Sequence, residues 1–235
     1  MLRSTPWTAG APHPHHPMPM EDIPPTPTVL SALRVLSRVW SVYRPEGVEL
    51  SAPQLAYRRF PKKYYVWEVC ARYGDPRAED HPAVPVAFVF VPPNTTVGVD
   101  LAKYLVKQYS VHARHLVIVC TKSSRSTGGV LDASGMVWES VSYDDVGVCI
   151  MDSGLVHSYT VLVGAGRAEA MASLGLATEN ELARLPLLRY REDPVARLLG
   201  LREGDLVRVK SPCTLTGQDV TYRYVVPSDA AYPLP

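Results

Sequence analysis

The apolar residues of the first stretch after residue 25 recur at the spacing of an α-helix. Thr26 followed by Pro27 suits a helix start, because threonine caps the first backbone amides and proline fits the first helical position. Pro45 and Gly47 are expected to end the helix. The apolar positions, three or four residues apart, are Val29, Leu33, Leu36, Trp40 and Tyr43. This spacing predicts a helix with one buried face.

The next segment predicts two shorter helices. Ser51 is placed to cap one that runs to about Arg59, and Pro61 to begin another that ends at Gly74. Residues 75–83 are charged and contain proline, which predicts a loop.

An apolar run, an amphipathic stretch and a second apolar run follow in that order. Val84–Val91 and His115–Cys120 are rich in β-branched residues and predict strands, and Val99–Tyr109 between them has helical spacing. Thr121–Gly129 predicts a loop. Two further strands are predicted, at Met136–Tyr143 and Val146–Met151. The order strand, helix, strand predicts a right-handed crossover in a mixed α/β sheet.

Glycines at positions 164 and 166 mark a predicted boundary to a second unit. Arg167–Leu174 predicts a short helix that ends at Gly175, and Thr178 opens another short helical stretch up to Pro186. A strand, a helix and two strands are then predicted, at Leu185–Tyr190, Pro194–Leu199, Leu206–Lys210 and Val220–Val226. Elements this short and mixed predict a small α+β domain.

Composition limits the classes of protein that the chain can be. Its 235 residues are 46% apolar, which suits one or two domains with a sizeable core. A net charge of +1 requires neither a nucleic acid nor a membrane as partner, and no apolar run reaches the roughly 20 residues of a membrane span. Residues 1–27 hold eight prolines and three histidines, which predicts a disordered tail rather than a signal peptide. The four cysteines lie far apart and predict buried free thiols rather than a zinc site: Cys70, Cys120, Cys149 and Cys213.

One stretch of this near-neutral chain is locally basic. Leu101–Leu131 contains no Asp or Glu. Its basic and imidazole side chains are Lys103, Lys107, His112, Arg114, His115, Lys122 and Arg125. The loop after the predicted strand offers cations and hydroxyls, the groups that contact phosphates, and its residues are Thr121, Lys122, Ser123, Ser124 and Arg125. We expect weak, sequence-independent and salt-sensitive contact with duplex DNA here, and an ordinary exposed loop is the alternative.

Residues 185–210 read LPLLRYREDPVARLLGLREGDLVRVK, and residues 217–226 read GQDVTYRYVV. Local chemistry accounts for part of this block. Asp193 before Pro194 predicts a helix N-cap with proline at the first position, and Gly200 predicts a left-handed C-cap. Residues 184–210 also carry seven basic side chains against four acidic ones, a surface that suits docking on a larger acidic partner.

The block resembles the C-terminal domain of the fifth subunit of eukaryotic RNA polymerases, a family that includes the equivalent archaeal subunit. The matching positions are Leu185-Pro186, Asp193-Pro194-Val195-Ala196-Arg197, Gly200-Leu201, Gly204, Val207, Val209 and Thr221-Tyr222-Arg223. The resemblance implies a non-catalytic subunit whose C-terminal domain fastens to the largest polymerase subunit. The residues expected to make that contact are Arg189, Asp193, Arg197, Arg202, Tyr222 and Arg223, with Arg197 and Arg223 as first choices for bidentate contacts.

The resemblance also implies an N-terminal domain with a nuclease-like mixed α/β fold but no active site, which forms part of the lower jaw at downstream DNA. The expected organisation is a Pro/His-rich tail at residues 1–25, a jaw domain at 26–163 and an assembly domain at 164–235. The fold class is thus α+β, with an α/β first domain. Residues 211–219 depart from the family's usual turn, which indicates a divergent member, such as a polymerase-specific or a viral copy.

Two other functions stay open from the residues alone. An active nuclease needs acidic residues and a lysine around a metal ion, and the nearest candidate, Glu139-Ser140-Val141, has no lysine. A free-standing DNA- or protein-binding module is the second alternative. No cofactor or metal is expected. The resemblance implies action in transcription, in the nucleus or more narrowly in its nucleolus, within a multisubunit complex that contacts DNA. It does not tell which polymerase, I, II or III, holds the chain.

Overall fold

A computed structural model describes residues 23–43, 50, 52–75, 83–147 and 158–227. The predicted tail up to residue 22 lies outside these residues. So do Pro45, Gly47 and Ser51, most of the predicted loop at 75–83 and residues 148–151 of the predicted strand Val146–Met151.

Five strands of the described residues form the first sheet. These strands are β1 (Ala56–Arg59), β2 (Tyr65–Gly74), β3 (Ala83–Phe90), β5 (His115–Cys120) and β7 (Val137–Ser142), and they lie side by side in that order. The pairs β1/β2 and β2/β3 are antiparallel, whereas β3/β5 and β5/β7 are parallel. Two short strands, β4 (Thr96–Val97) and β6 (Lys122–Ser123), pair beside this sheet. The prediction of a mixed sheet is confirmed.

The helices of the first part are α1 (Pro27–Tyr43), α2 (Val99–Tyr109), α3 (Arg125–Asp132) and α4 (Tyr143–Gly147). The side chain of Thr26 accepts a hydrogen bond from the amide of Val29 at 3.4 Å, as expected of an N-cap. The predicted apolar face of α1 is buried at Val29, Leu33, Leu36 and Trp40. Both α2 and β5 begin and end at the predicted residues, because their periodicity is unambiguous.

The two short helices predicted between residues 51 and 74 are wrong. Residues 52–54 and 61–63 form single 3₁₀ turns, and residues 56–59 and 65–74 form β1 and β2. Trp67 of β2 lies opposite Phe90 of β3 in a ladder of eight residue pairs. The long apolar strand β3 therefore decides the conformation of β2, because aromatic and β-branched residues pack well on such a surface.

The predicted loop Thr121–Gly129 and the predicted strand at Val146 also need correction. The loop is replaced by strand β6 followed by helix α3, whose first residue is Arg125. Val146 and Gly147 belong to helix α4.

The second sheet has four strands among the described residues. They are β8 (Ser158–Leu162), β9 (Leu187–Arg189), β10 (Leu206–Cys213) and β11 (Gly217–Val226), in the spatial order β8-β10-β11-β9. The helices of this part are α5 (Gly164–Ser173) and α6 (Pro194–Leu199). The sequence does not predict β8, and this strand pairs with β10 although the expected boundary after residue 163 counts it with the first domain. The division into domains stays a prediction.

The caps of α6 agree with their prediction. The Asp193 carboxylate accepts hydrogen bonds from the amides of Val195 (2.8 Å) and Ala196 (3.0 Å). Gly200 ends the helix with a left-handed φ of 59°. We expect Asp193→Ala to lower the free energy of unfolding by about 1 kcal/mol, measured by urea denaturation. Asp219→Ala, at an exposed position in the β10–β11 hairpin, is the control and is expected to change it by less than about 0.5 kcal/mol. Equal effects of both variants would contradict the capping role.

The two sheets share a continuous apolar core. The largest cluster includes Trp40 of α1, Phe88 of β3, Leu198 of α6 and Val207 of β10. The Trp40 indole donates a hydrogen bond to the carbonyl of Leu198 at 3.1 Å. A second cluster lies beneath α2 and α3, and a third beneath α5. Because α1 contacts both parts, it fixes the position of the second sheet relative to the first.

Candidate interaction surfaces

The predicted DNA-contact residues lie beyond the carboxyl ends of the parallel strands β3 and β5. We call this place, residues 121–125, the β6–α3 edge. Lys122, Ser123 and Arg125 are exposed, and Thr121 and Ser124 are half-buried. The amide of Ser124 donates to the carbonyl of Val97 at 3.0 Å, and β6 pairs with β4. The segment is thus held by backbone hydrogen bonds, and it presents two cations at the start of α3.

The acid-free stretch does not form one basic surface. Helix α2 runs back across the sheet, so Arg114, whose amide donates to the carbonyl of Pro85, lies at the opposite edge from Lys122. His115 is fully buried. Lys122 and Arg125 lie at the start of α3, and Lys103 lies one turn into α2, which begins beside β6. Continuity along the sequence therefore overstated the surface.

Four of the predicted docking residues make polar contacts within the chain, and one of them is Arg189, which forms an ion pair with Glu192 at 3.6 Å. The carboxylate of Asp193 caps α6. Arg197 donates to the carboxylate of Asp145 at 2.6 Å and to the carbonyl of Arg191 at 3.2 Å. Arg202 approaches the hydroxyl of Tyr73 at 3.4 Å. Both terminal nitrogens of Arg197 therefore have partners, which weakens its choice as a first contact for another protein.

The two remaining docking residues lie on opposite faces of the second sheet. Arg223 pairs across the ladder with Val207, on the face that packs against α6, which we call the α6 face. Tyr222 packs with Leu206 and Ala170 on the other face, the α5 face. Arg189 neighbours Val226 in the ladder and also belongs to the α5 face. One flat partner surface cannot cover all three.

Arg223 is half-buried near Tyr159. Burial raises the pKa of the Tyr159 hydroxyl, while the positive charge of Arg223 lowers it. No hydrogen bond or ion pair of the Arg223 guanidinium occurs within the part of the chain that the structure describes. Arg223 is consequently the predicted docking arginine whose charge is most available to a partner.

The prediction from sequence missed two buried polar groups. His115 Nε2 lies 2.9 Å from Glu139 Oε1, and its Nδ1 lies 2.9 Å from the Tyr73 hydroxyl. Glu68 accepts a bidentate contact from Arg58 and a hydrogen bond from the hydroxyl of Tyr109. Burial, and then the Glu68 charge, raises the pKa of Tyr109 far above its ordinary range. Glu139 is the acidic residue nearest to what a nuclease would need, and its exposed fraction is only 3%.

The structure also bears on the predictions about metals, thiols and membranes. No group of three His, Cys, Asp or Glu side chains suited to a metal ion occurs in the described ranges. Cys120 is buried and Cys213 half-buried, whereas Cys70 is exposed, contrary to the prediction. Cys149 lies outside the described residues. None of the helices within those ranges is long and apolar enough to cross a membrane.

Comparison with known proteins supports the resemblance in the C-terminal part and extends it. Residues 155–225 match the family model described as RNA polymerase Rpb5, C-terminal domain. The chain is 29% identical over 174 residues to the Caenorhabditis elegans protein named DNA-directed RNA polymerases I, II, and III subunit RPABC1, covering 66% of this chain and 80% of that protein. It is 30% identical over 144 residues to the Caenorhabditis briggsae protein of the same name, covering 59% of this chain and 65% of that protein.

An archaeal relative matches a shorter part of the chain. DNA-directed RNA polymerase subunit Rpo5 of Sulfolobus acidocaldarius is 32% identical over 77 residues, which cover 33% of this chain and 86% of the archaeal protein. The residues that match the family model build the part of the fold from β8 to β11. The chain belongs to the Rpb5 family of DNA-directed RNA polymerase subunits.

Proposed function

We propose that the chain is a non-catalytic subunit of a nuclear DNA-directed RNA polymerase and acts in transcription. The observation that carries the proposal is the second sheet with its capped helix α6, because this unit contains the matched residues 155–225. The similarity to the nematode proteins reaches into the first part of the chain, so a eukaryotic-type subunit fits better than a short archaeal one. A subunit of this kind acts in the nucleus.

We assign docking on the largest subunit to the α6 face of the second sheet, around Arg223. Thr221, exposed on the same face, and half-buried Tyr159 flank this arginine. A guanidinium with no partner in the described chain suits a carboxylate on another protein, because Arg–carboxylate pairs are strong and geometrically specific. Tyr222 and Arg189 on the α5 face would serve a different contact. Asp193, Arg197 and Arg202 support the surface from within.

We place downstream duplex DNA at the β6–α3 edge. Exposed Lys122 and Arg125 supply charge, and the hydroxyls of Thr121, Ser123 and Ser124 supply further donors. No element at this edge has the length to fill a groove, so the contact would reach phosphates only.

The DNA proposal gives a salt-dependence prediction. Lys122→Ala with Arg125→Ala should weaken binding of the full chain to a duplex and reduce the slope of log K against log salt by about 2, because each phosphate contact contributes about 0.9. Fluorescence anisotropy with a labelled duplex measures both effects. Lys107→Ala with Arg114→Ala removes the same charge elsewhere and is the control. Equal losses in the two double variants would refute a localised contact.

The proposal for the whole chain is tested by capture. A tagged full-length chain is expressed in its own cells and purified, and the proteins that accompany it are identified by mass spectrometry. We expect the largest subunit of at least one nuclear polymerase. The identity of that subunit also distinguishes polymerases I, II and III. Capture without any polymerase subunit would refute the proposed function.

A further inference from the structure

A cavity of about 310 Å³ lies where the carboxyl ends of β5 and β7 meet the segment before α6. This volume is at the lower end of the range for small-molecule sites, about 300–1,000 Å³. The first part of the chain contributes four hydroxyls to its wall, and two guanidinium groups come from the segment around α6. These residues are Thr121, Ser123, Ser140, Ser142, Arg191 and Arg197.

The charged groups of the lining are of one sign. The guanidinium groups only donate hydrogen bonds, the hydroxyls can both donate and accept, and no Asp or Glu is among the residues that line this cavity. The other two lining residues, Cys120 and Trp138, are largely apolar. Such donors suit a ligand with several acceptor oxygens and a negative charge, which describes a phosphate group. The position agrees, because ligands of open α/β sheets bind beyond the carboxyl ends of parallel strands.

Both arginines are held in place by contacts with the rest of the chain. Arg191 Nη2 donates to Asp132 at 2.9 Å, and the Arg191 guanidinium lies 4.0 Å from the centre of the Trp138 ring. Arg197 is fixed by Asp145. The Trp138 indole also donates to Asp132, at 2.8 Å. Fixed side chains of this kind are what a pre-organised binding site requires.

Two features are unexplained if the arginines only tie the two parts of the chain together. The Nε atoms of Arg191 and Arg197 are buried and have no hydrogen-bond acceptor in the described residues, which is costly for a buried donor; Arg202 and Arg208, outside the cavity, share this feature. Arg191 also adopts a left-handed φ of 66°, which is unfavourable for a residue with a side chain. A purely structural contact would, in addition, be packed closed rather than leave an open cavity.

We propose that this cavity binds a phosphate group, either as free phosphate or as part of a small phosphorylated molecule, between the two parts of the chain. The proposal does not require the polymerase function, although Thr121 and Ser123 of its lining also belong to the segment proposed to contact DNA. Arg191 is its principal anchor, and the four hydroxyls complete the shell of donors.

The test is calorimetric titration of the full chain with inorganic phosphate, at an ionic strength kept constant with chloride. Saturable binding is expected, and Arg191→Gln should weaken it at least about tenfold, the usual effect of losing a charged hydrogen-bond donor. Arg184→Gln removes an equal charge at an exposed site and should leave the affinity unchanged. Absence of saturable binding, or equal weakening by the two variants, overturns the proposal.

Arg191 also joins the two parts of the chain, so a second variant keeps the test decisive if Arg191→Gln fails to fold. Thr121→Val with Ser123→Ala removes two hydroxyls and no ion pair, and it should weaken phosphate binding at least about threefold. A folded double variant with unchanged affinity counts against the site.

Duplex DNA is titrated in parallel to identify the source of the phosphate. Phosphate binding that survives Lys122→Ala with Arg125→Ala supports a small-ligand site. Binding of the duplex without any binding of free phosphate overturns it.

Discussion

Arg223→Glu is expected to reduce capture of the largest polymerase subunit by the tagged chain at least about thirtyfold. Arginines at the centre of an interface commonly contribute about 2 kcal/mol or more, and reversal of the charge adds repulsion from an acidic partner. Arg223 is half-buried and close to Tyr159, and its guanidinium has no partner within the described chain. Quantitative mass spectrometry of the captured material, normalised to the tagged chain, measures the loss.

Two further variants separate docking from folding. Arg223→Gln removes the charge without introducing a carboxylate, and it should give a smaller loss in the same direction. Arg184→Glu makes the same charge change at an exposed site of the second part and should leave capture within about twofold of the wild type. If Arg223→Glu folds normally and captures as much polymerase as the wild type, the α6 face is not the docking surface.

Glu139→Ala is expected to lower the free energy of unfolding by about 2 kcal/mol or more. Loss of a buried hydrogen-bond partner typically costs about 1–3 kcal/mol, and loss of one member of a buried ion pair about 3–5 kcal/mol, because the other member stays buried without its partner. His115 and Glu139 are 0% and 3% exposed, and they join the neighbouring parallel strands β5 and β7. Urea denaturation of the full-length chain, followed by tryptophan fluorescence, gives the value.

The control for this loss is Glu203→Ala, at an exposed turn position of the second part, where a change below about 0.5 kcal/mol is expected. A DNA-cleavage assay on the same wild-type and Glu139→Ala proteins tests the alternative that the chain is a nuclease. A nuclease that used Glu139 would cleave DNA with magnesium and lose that cleavage in the variant without a comparable loss of stability. Stability unchanged in Glu139→Ala would contradict the structural role that we assign to this carboxylate.

Local signals in the sequence are enough to predict the elements that are stabilised locally. Helix α6 has its cap, its proline and its left-handed glycine within eight residues, and the structure has all three at the predicted positions. The periodicity of α2 and the apolar run of β5 are similarly self-contained. Elements of this kind can be predicted without information about distant parts of the chain.

The errors have a common physical cause, which is dependence on distant partners. The residues of β2 also fit a helical pattern, and pairing with β3 decides between the two conformations. Strand β8 is short and polar in part, and its partner β10 begins 44 residues after the end of β8, at Leu206. A pattern confined to a short window contains no information about either ladder.

The same limit applies to the candidate sites. Arg197 matches the family pattern, but its main partner is Asp145, which is 52 positions earlier. His115 falls in the acid-free basic stretch, although Glu139 on the neighbouring strand holds it in the core. Tyr222 and Arg223 are adjacent in the sequence, whereas strand alternation puts them on opposite faces. In each case the residue type predicts which interactions the side chain can make. Only the fold shows which other side chain or which sheet face it meets.

The most direct measurement of the central claim is the stoichiometry of the tagged chain in polymerase purified through a different subunit. A subunit that docks through the second sheet should be present at about one copy for each largest subunit and should stay bound through a high-salt wash. Its amount should also follow transcription activity across a density gradient. Absence of the chain from active polymerase, or a substoichiometric amount that washes away, would contradict the account.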